Sequence, residues 1–167
     1  FNLPQSHFDL VRPGIALYGY AGRYIRGSQD LRPILRLTAP VVLTKLIKTG
    51  ATCGYGATFR ARRPTRIGLL PVGYADGYDR RWSNMGKVCF KQHVLPVIGR
   101  VSMDLTIVDL TDAPQAGIGD MICLISEKRN DPHSVESMAR SLGTIPYEIT
   151  CALGRRIERI LVDEFPP

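Results

Sequence analysis

The chain has 167 residues, 44% hydrophobic and 22% charged; at this length roughly 70% of the unfolded surface can be buried, so one domain fits without disulfide or metal staples. That usage excludes the disordered and fibrous classes, and no apolar run approaches the ~20 residues of a membrane-spanning helix. Basic residues outnumber acidic ones 22 to 15, a net charge of +7, but they fall in short clusters without the interleaved aromatics that stack on bases, so the excess reads as solvated surface.

Phe1-Asn2-Leu3-Pro4-Gln5 lacks the basic-then-apolar layout of a signal peptide. Leu10–Tyr18 reads as a strand-like stretch that breaks at Gly19 and Gly22, consistent with the tail of a preceding domain. Glycines and prolines then divide residues 30–125 into pieces mostly too short for helices. The β-rich segments between them are Ile34–Lys48, Ile67–Val72, Lys87–Phe90, Val94–Ile98, Leu105–Leu110 and Met121–Ile125. In the first of these, Leu35, Leu37, Ala39, Val41 and Leu43 alternate with Arg36, Thr38, Pro40, Val42 and Thr44, a half-buried strand pattern. Pro40 costs a ladder donor, which places that strand at an edge or on a bulge. Many short strands predict a mainly β, barrel-like or sandwich fold.

The character changes after residue 130. Asp131-Pro132 signals a helix start. Val135, Met138, Ala139 and Leu142 fall at i, i+3, i+4 and i+7, and Gly143 follows as a C-terminal cap. A second short helix opens at Pro146 and stops at Gly154, and Ile157–Val162 reads as a closing strand. Cys53, Cys89, Cys123 and Cys151 form no Cys-x-x-Cys pair, and His7, His93 and His133 are scattered. No metal site is expected, and free thiols in a reducing, cytoplasmic compartment fit better than disulfides.

Five short motifs carry chemistry-bearing residues. Arg12-Pro13-Gly14-Ile15 sets a fixed cation beside a glycine whose backbone can approach a ligand closely. Gly54-Tyr55-Gly56 holds an aromatic between two glycines. As a base a tyrosine needs help: with an unperturbed pKa near ~10, only about 0.1% is phenolate at neutral pH. Gly73-Tyr74-Ala75-Asp76-Gly77 is also compatible with a plain hairpin turn. Gly99-Arg100-Val101-Ser102-Met103-Asp104 is equally compatible with a structural Arg100–Asp104 ion pair, and Ile145-Pro146-Tyr147-Glu148 places a tyrosine at a helix N-terminus.

Together, in order and across essentially the whole chain, these motifs resemble the C-terminal part of the alanine racemases. The resemblance implies residues 1–24 as the last strand and turn of a truncated (β/α)8 barrel and 25–167 as the family's β-rich C-terminal domain. It also implies pyridoxal 5′-phosphate as cofactor, a homodimer, and L/D-alanine interconversion supplying D-alanine for peptidoglycan. Tyr55 resembles the family's catalytic tyrosine, which takes or returns the α-proton in the partner subunit's site. Arg12 resembles the arginine on the pyridine nitrogen. Gly14 and Ile15 match amides that hold the phosphate, and Tyr147 a hydroxyl that does so. Met103 matches a residue contacting substrate from the partner subunit, and Tyr74 one lining the substrate entrance; Asp104 is adjacent.

The lysine that holds the cofactor, and serves as the second base, lies in the family's N-terminal barrel. None of Lys45, Lys48, Lys87, Lys91 and Lys128 sits in its context, so this chain alone is expected to be inactive. The partners implied are a small amino acid, a second subunit and the barrel, with no nucleic acid and no membrane. The alternatives are a racemase of serine or another amino acid, and a non-catalytic basic β-barrel binding module.

Overall fold

The alternation that begins at Leu35 continues only as far as Val41. Leu37, Ala39 and Val41 are buried, whereas Leu43 is exposed and Ile47 returns to the interior. The single expected strand is therefore two, β1 (Leu37–Pro40) and β2 (Leu43–Ile47), which join different sheets. The rest of the β structure is β3 (Thr52–Cys53), β4 (Phe59–Arg60), β5 (Thr65–Leu70), β6 (Lys87–Phe90), β7 (His93–Pro96), β8 (Thr106–Asp109) and β9 (Met121–Ile125). Two helices follow, α1 (Val135–Leu142) and α2 (Pro146–Ala152). This is a computed structural model, and it describes residues 3–21, 25, 27 and 30–163.

The strands form a four-stranded sheet in the order β1-β9-β6-β7, a three-stranded sheet β2-β5-β8 and the small β3-β4 pair, all antiparallel. The fold is mainly β, but these sheets do not close into a barrel; only an isolated bridge, Val97 to Val108, stitches the first to the second among the described residues. β1 is an edge strand, where Pro40 costs no inner ladder bond. Its register shift lies between Leu37 and Thr38, not at the proline.

The principal core collects Val88, Phe90, Leu95, Ile122 and Leu124 of the four-stranded sheet, Leu70 and Val108 of the three-stranded sheet, and Val135, Met138 and Ala139 of α1. A smaller cluster, Ile47, Ala61, Ile67 and Ile98, sits under the β2-β5-β8 sheet. Burying each large aliphatic side chain contributes about 1.5–3 kcal/mol, so the apolar face of α1 fixes the helix against the sheet. The Ser134 hydroxyl accepts the Ser137 N–H at its start, and Gly143 ends it in the left-handed conformation, φ 67°.

Two expected strands are corrected. Within Leu10–Tyr18, residues Gly14–Tyr18 form a 3-10 helix. The segment leads to Tyr20, which is fully buried in the principal core. The Gly19 carbonyl accepts from Arg129 at 2.6 Å. Ile157–Val162 carries no strand pairing among the described residues; Leu161 is wholly exposed. A β-branched run becomes a strand only where a neighbouring edge receives it, and none does here.

All four cysteines are free thiols. Burial pushes the Cys123 thiol up to about 11 and raises Cys53 and Cys89 as well, which keeps them protonated and unreactive near neutral pH. Among the described residues, no three His, Cys, Asp or Glu converge as a metal site, and no helix is long and apolar enough to cross a membrane.

Candidate functional site

Tyr55 stands at the tip of the β3–β4 connection between two glycines with positive φ, Gly54 at 74° and Gly56 at 69°. That backbone is open to glycine at little cost, and it leaves Tyr55 75% exposed. Space matters as much as conformation at Gly54. A Cβ there would lie 3.1 Å from the Arg100 amide nitrogen and 3.3 Å from Gly99 Cα. Two glycine backbones thus pack against each other and bring the tyrosine turn onto the 99–105 loop.

Asn84 ties the same two segments from the other side. Its amide donates to Thr58 Oγ1 at 3.0 Å and its Oδ1 accepts the Gly99 N–H at 2.7 Å. A cavity of about 330 Å³ opens beside this joint, lined by Gly54, Tyr55, Leu69, Arg100, Ser102, Leu105 and Ile107. Its wall is largely aliphatic, and Tyr55, Arg100 and Ser102 are the residues on it that carry polar groups.

Tyr74 and Met103 lie on two adjoining turns. The Tyr74 N–H donates to the Ser102 carbonyl and the Ala75 N–H to the Met103 carbonyl, both at 3.0 Å. Gly73 is required by this approach, since a Cβ there would fall 2.3–2.4 Å from the Ser102 and Met103 carbonyl oxygens. Both side chains are about half exposed. The alternative Arg100–Asp104 pairing does not form; Asp104 Oδ1 accepts instead from Arg156 Nη2 at 2.7 Å.

A second group assembles around the start of α2. Tyr147 is the second residue of that helix, and its hydroxyl oxygen faces the Ile15 N–H at a long 3.5 Å. Gly14, φ 56°, leaves open the space between them, for a Cβ would sit 3.1 Å from Tyr147 Oη. An amide N–H thus meets a phenolic oxygen beside a residue without a side chain. Here the N–H donates to the phenolic oxygen, and both groups can donate to a phosphate that displaces this long bond. Arg12 is exposed two residues earlier in the same segment.

The predicted residues therefore fall into two groups: Arg12, Gly14, Ile15 and Tyr147 in one, Tyr55, Tyr74 and Met103 in the other. Sequence reasoning missed Asn84 and Arg156. Asn84 sits at positive φ, 60°, in a stretch with no recognisable spacing; Arg156 was counted among surface basic residues. Several of those are paired: Arg63 with Asp112 at 2.5 Å and Arg81 with Asp79 at 2.7 Å.

Residues 34–161 match the family model described as alanine racemase, C-terminal domain. Alanine racemase 1 of Caldanaerobacter subterraneus subsp. tengcongensis is 43% identical over 160 residues, covering 95% of this chain and 41% of that protein. The alanine racemase of Clostridium kluyveri is 40% identical over 163 residues, 96% of this chain and 42% of that one. Among solved structures, alanine racemase from Bartonella henselae with covalently bound pyridoxal phosphate superposes with a TM-score of 0.82 at 40% identity, over 92% of this chain and 42% of that one. The alanine racemase of Streptomyces lavendulae gives 0.84 at 33% identity, over 98% and 44%. The chain spans about two fifths of the length of the relatives it matches.

Proposed function

The chain belongs to the alanine racemase C-terminal domain family, and on that premise we propose that it is the C-terminal part of a pyridoxal-phosphate-dependent alanine racemase, working as a homodimer. The observation that carries the cofactor reading is the convergence of the Ile15 N–H and the Tyr147 hydroxyl over Gly14. These groups would hold the phosphate, with the Gly14 amide beside them. Arg12 would donate to the ring nitrogen, and because guanidinium donates and does not accept, that nitrogen stays unprotonated. When bound, the cofactor supplies the electron sink that lets an amino-acid α-proton leave.

On this reading Tyr55 takes or returns the α-proton on one face of the substrate, and a lysine of the N-terminal barrel acts on the other. Two bases on opposite faces convert removal and return of one proton into inversion. Met103 and Tyr74 border the substrate, and the largely aliphatic wall beside Tyr55 favours an apolar side chain such as the methyl of alanine. Residues 1–24 then end the barrel and residues 25–167 form the C-terminal domain.

Racemisation of L-alanine with added pyridoxal phosphate tests the proposal, comparing this chain alone with this chain mixed with the barrel-bearing half. Activity is expected only in the mixture. Activity from the chain alone would mean that a lysine here holds the cofactor. Faster turnover of serine than of alanine in the mixture would replace the substrate assignment.

A further inference from the structure

The two substrate-side turns that carry Tyr74 and Met103 are joined by one side chain outside every motif described above. Arg156 lies just beyond α2. Its Nε donates to Asp76 Oδ1 at 3.1 Å, and its Nη2 stands 2.9 Å from the same oxygen and 2.7 Å from Asp104 Oδ1. Asp76 is buried, and its other oxygen accepts the Gly73 N–H at 2.9 Å, closing the turn that carries Tyr74. Asp104 follows Met103 directly. One guanidinium thus holds together two carboxylates, one on each substrate-side turn.

The rest of the junction is equally tight. The Gly154 N–H donates to the Asp76 carbonyl at 2.9 Å, and a Cβ on Gly77 would fall 2.2 Å from the Ala152 carbonyl oxygen. The segment from Tyr147 to Arg156 therefore runs from the phosphate-side group to the joint between the Tyr74 and Met103 turns. Without the guanidinium, two carboxylates would face each other, one of them buried, and like charges at that range disfavour the closed arrangement.

We propose that Arg156 is a positioning residue for the substrate-side turns, holding Tyr74 and Met103 in register through Asp76 and Asp104. The inference rests on the racemase reading for its kinetic consequence but not for its structural one. Asp104, half-buried and next to Met103, serves in it as the outer anchor of the bridge. The inner anchor is Asp76, whose burial lets it transmit the pairing to the backbone of the Tyr74 turn.

The test uses the complete dimeric enzyme loaded with pyridoxal phosphate. R156Q and D104N should each raise KM for L-alanine about tenfold with kcat within about twofold. The double variant should do no more than either, because both break one bridge. R156K should recover part of the loss. Hydrogen exchange supplies a readout independent of turnover: the Tyr74 and Ala75 amides should exchange faster in R156Q, with those of β6 and β9 unchanged. Wild-type KM together with wild-type exchange at Tyr74 and Ala75 would overturn the proposal. So would faster exchange spread evenly over β6 and β9, the mark of general destabilisation. A wild-type enzyme that does not turn over alanine would sink the racemase reading instead, leaving the exchange comparison to decide the bridge.

Discussion

At the scale of single residues, the two tyrosines hold their positions through backbone that only small residues allow, and they should fail differently when altered. Tyr55→Phe keeps the ring and removes the proton-carrying oxygen, so the complete enzyme should lose about 100-fold or more in turnover while its bound-cofactor absorbance is unchanged. Near-full turnover would remove Tyr55 from the chemistry. Tyr147→Phe should instead weaken cofactor binding by about 1–3 kcal/mol, the range for a hydrogen bond to a charged group, measured by cofactor titration. Gly14→Ala should weaken it too, by a different route. The added methyl meets Tyr147 Oη at 3.1 Å and the backbone must hold φ 56°, a conformation alanine rarely adopts. Unchanged affinity in both variants would place the phosphate elsewhere.

At the scale of elements, β6 and β9 begin and end where the apolar runs and flanking turn residues place them, and α1 follows the spacing of Val135, Met138, Ala139 and Leu142. These elements are legible because their local pattern and their packing agree. Ile157–Val162 has the composition of a strand but pairs with no strand among the described residues, a fact that belongs to the tertiary structure. The motifs likewise single out Tyr55 and Tyr147 as candidates, whereas the Arg156 bridge and the Asn84 clamp unite positions 80 and 26 residues apart that no spacing rule connects.

The loop before α1 adds a testable consequence. His133 is buried, its carbonyl accepts the Ser126 N–H at 3.0 Å, and burial lowers its pKa even though the Asp131 carboxylate at 4.0 Å and Glu127 pull the other way. Below the unfolded value of about 6.5 the unfolded chain binds a proton that the folded chain refuses, so stability must fall as pH drops through that value. The loss levels off only below the folded pKa. Thermal unfolding from about pH 7.5 down to 5 should show this decline, and His133→Phe should flatten it. An identical slope in the variant would assign the acid sensitivity to other groups.

For the whole molecule, the division of site residues into two groups has a consequence for assembly. In the proposed dimer, each active site takes Arg12, Gly14, Ile15 and Tyr147 from one subunit and Tyr55 and Met103 from the other. The exposure of Tyr55 and the half-exposure of Met103 and Tyr74 fit groups that meet a surface this chain does not itself supply. A two-fold axis makes the exchange reciprocal, so both sites are shared. Complementation can detect that sharing. Tyr55→Phe and Arg12→Ala homodimers should each be nearly inactive, because every site in them is defective. In a mixed dimer, one site receives Arg12 from the Tyr55→Phe subunit and Tyr55 from the Arg12→Ala subunit, and is intact; the other collects both defects. Random reassortment makes about half the dimers mixed, each with one good site in two, so about one quarter of wild-type activity should return. If mixing restores nothing although mixed dimers form, Tyr55 and Arg12 serve the same subunit's site, and the shared-site account is wrong.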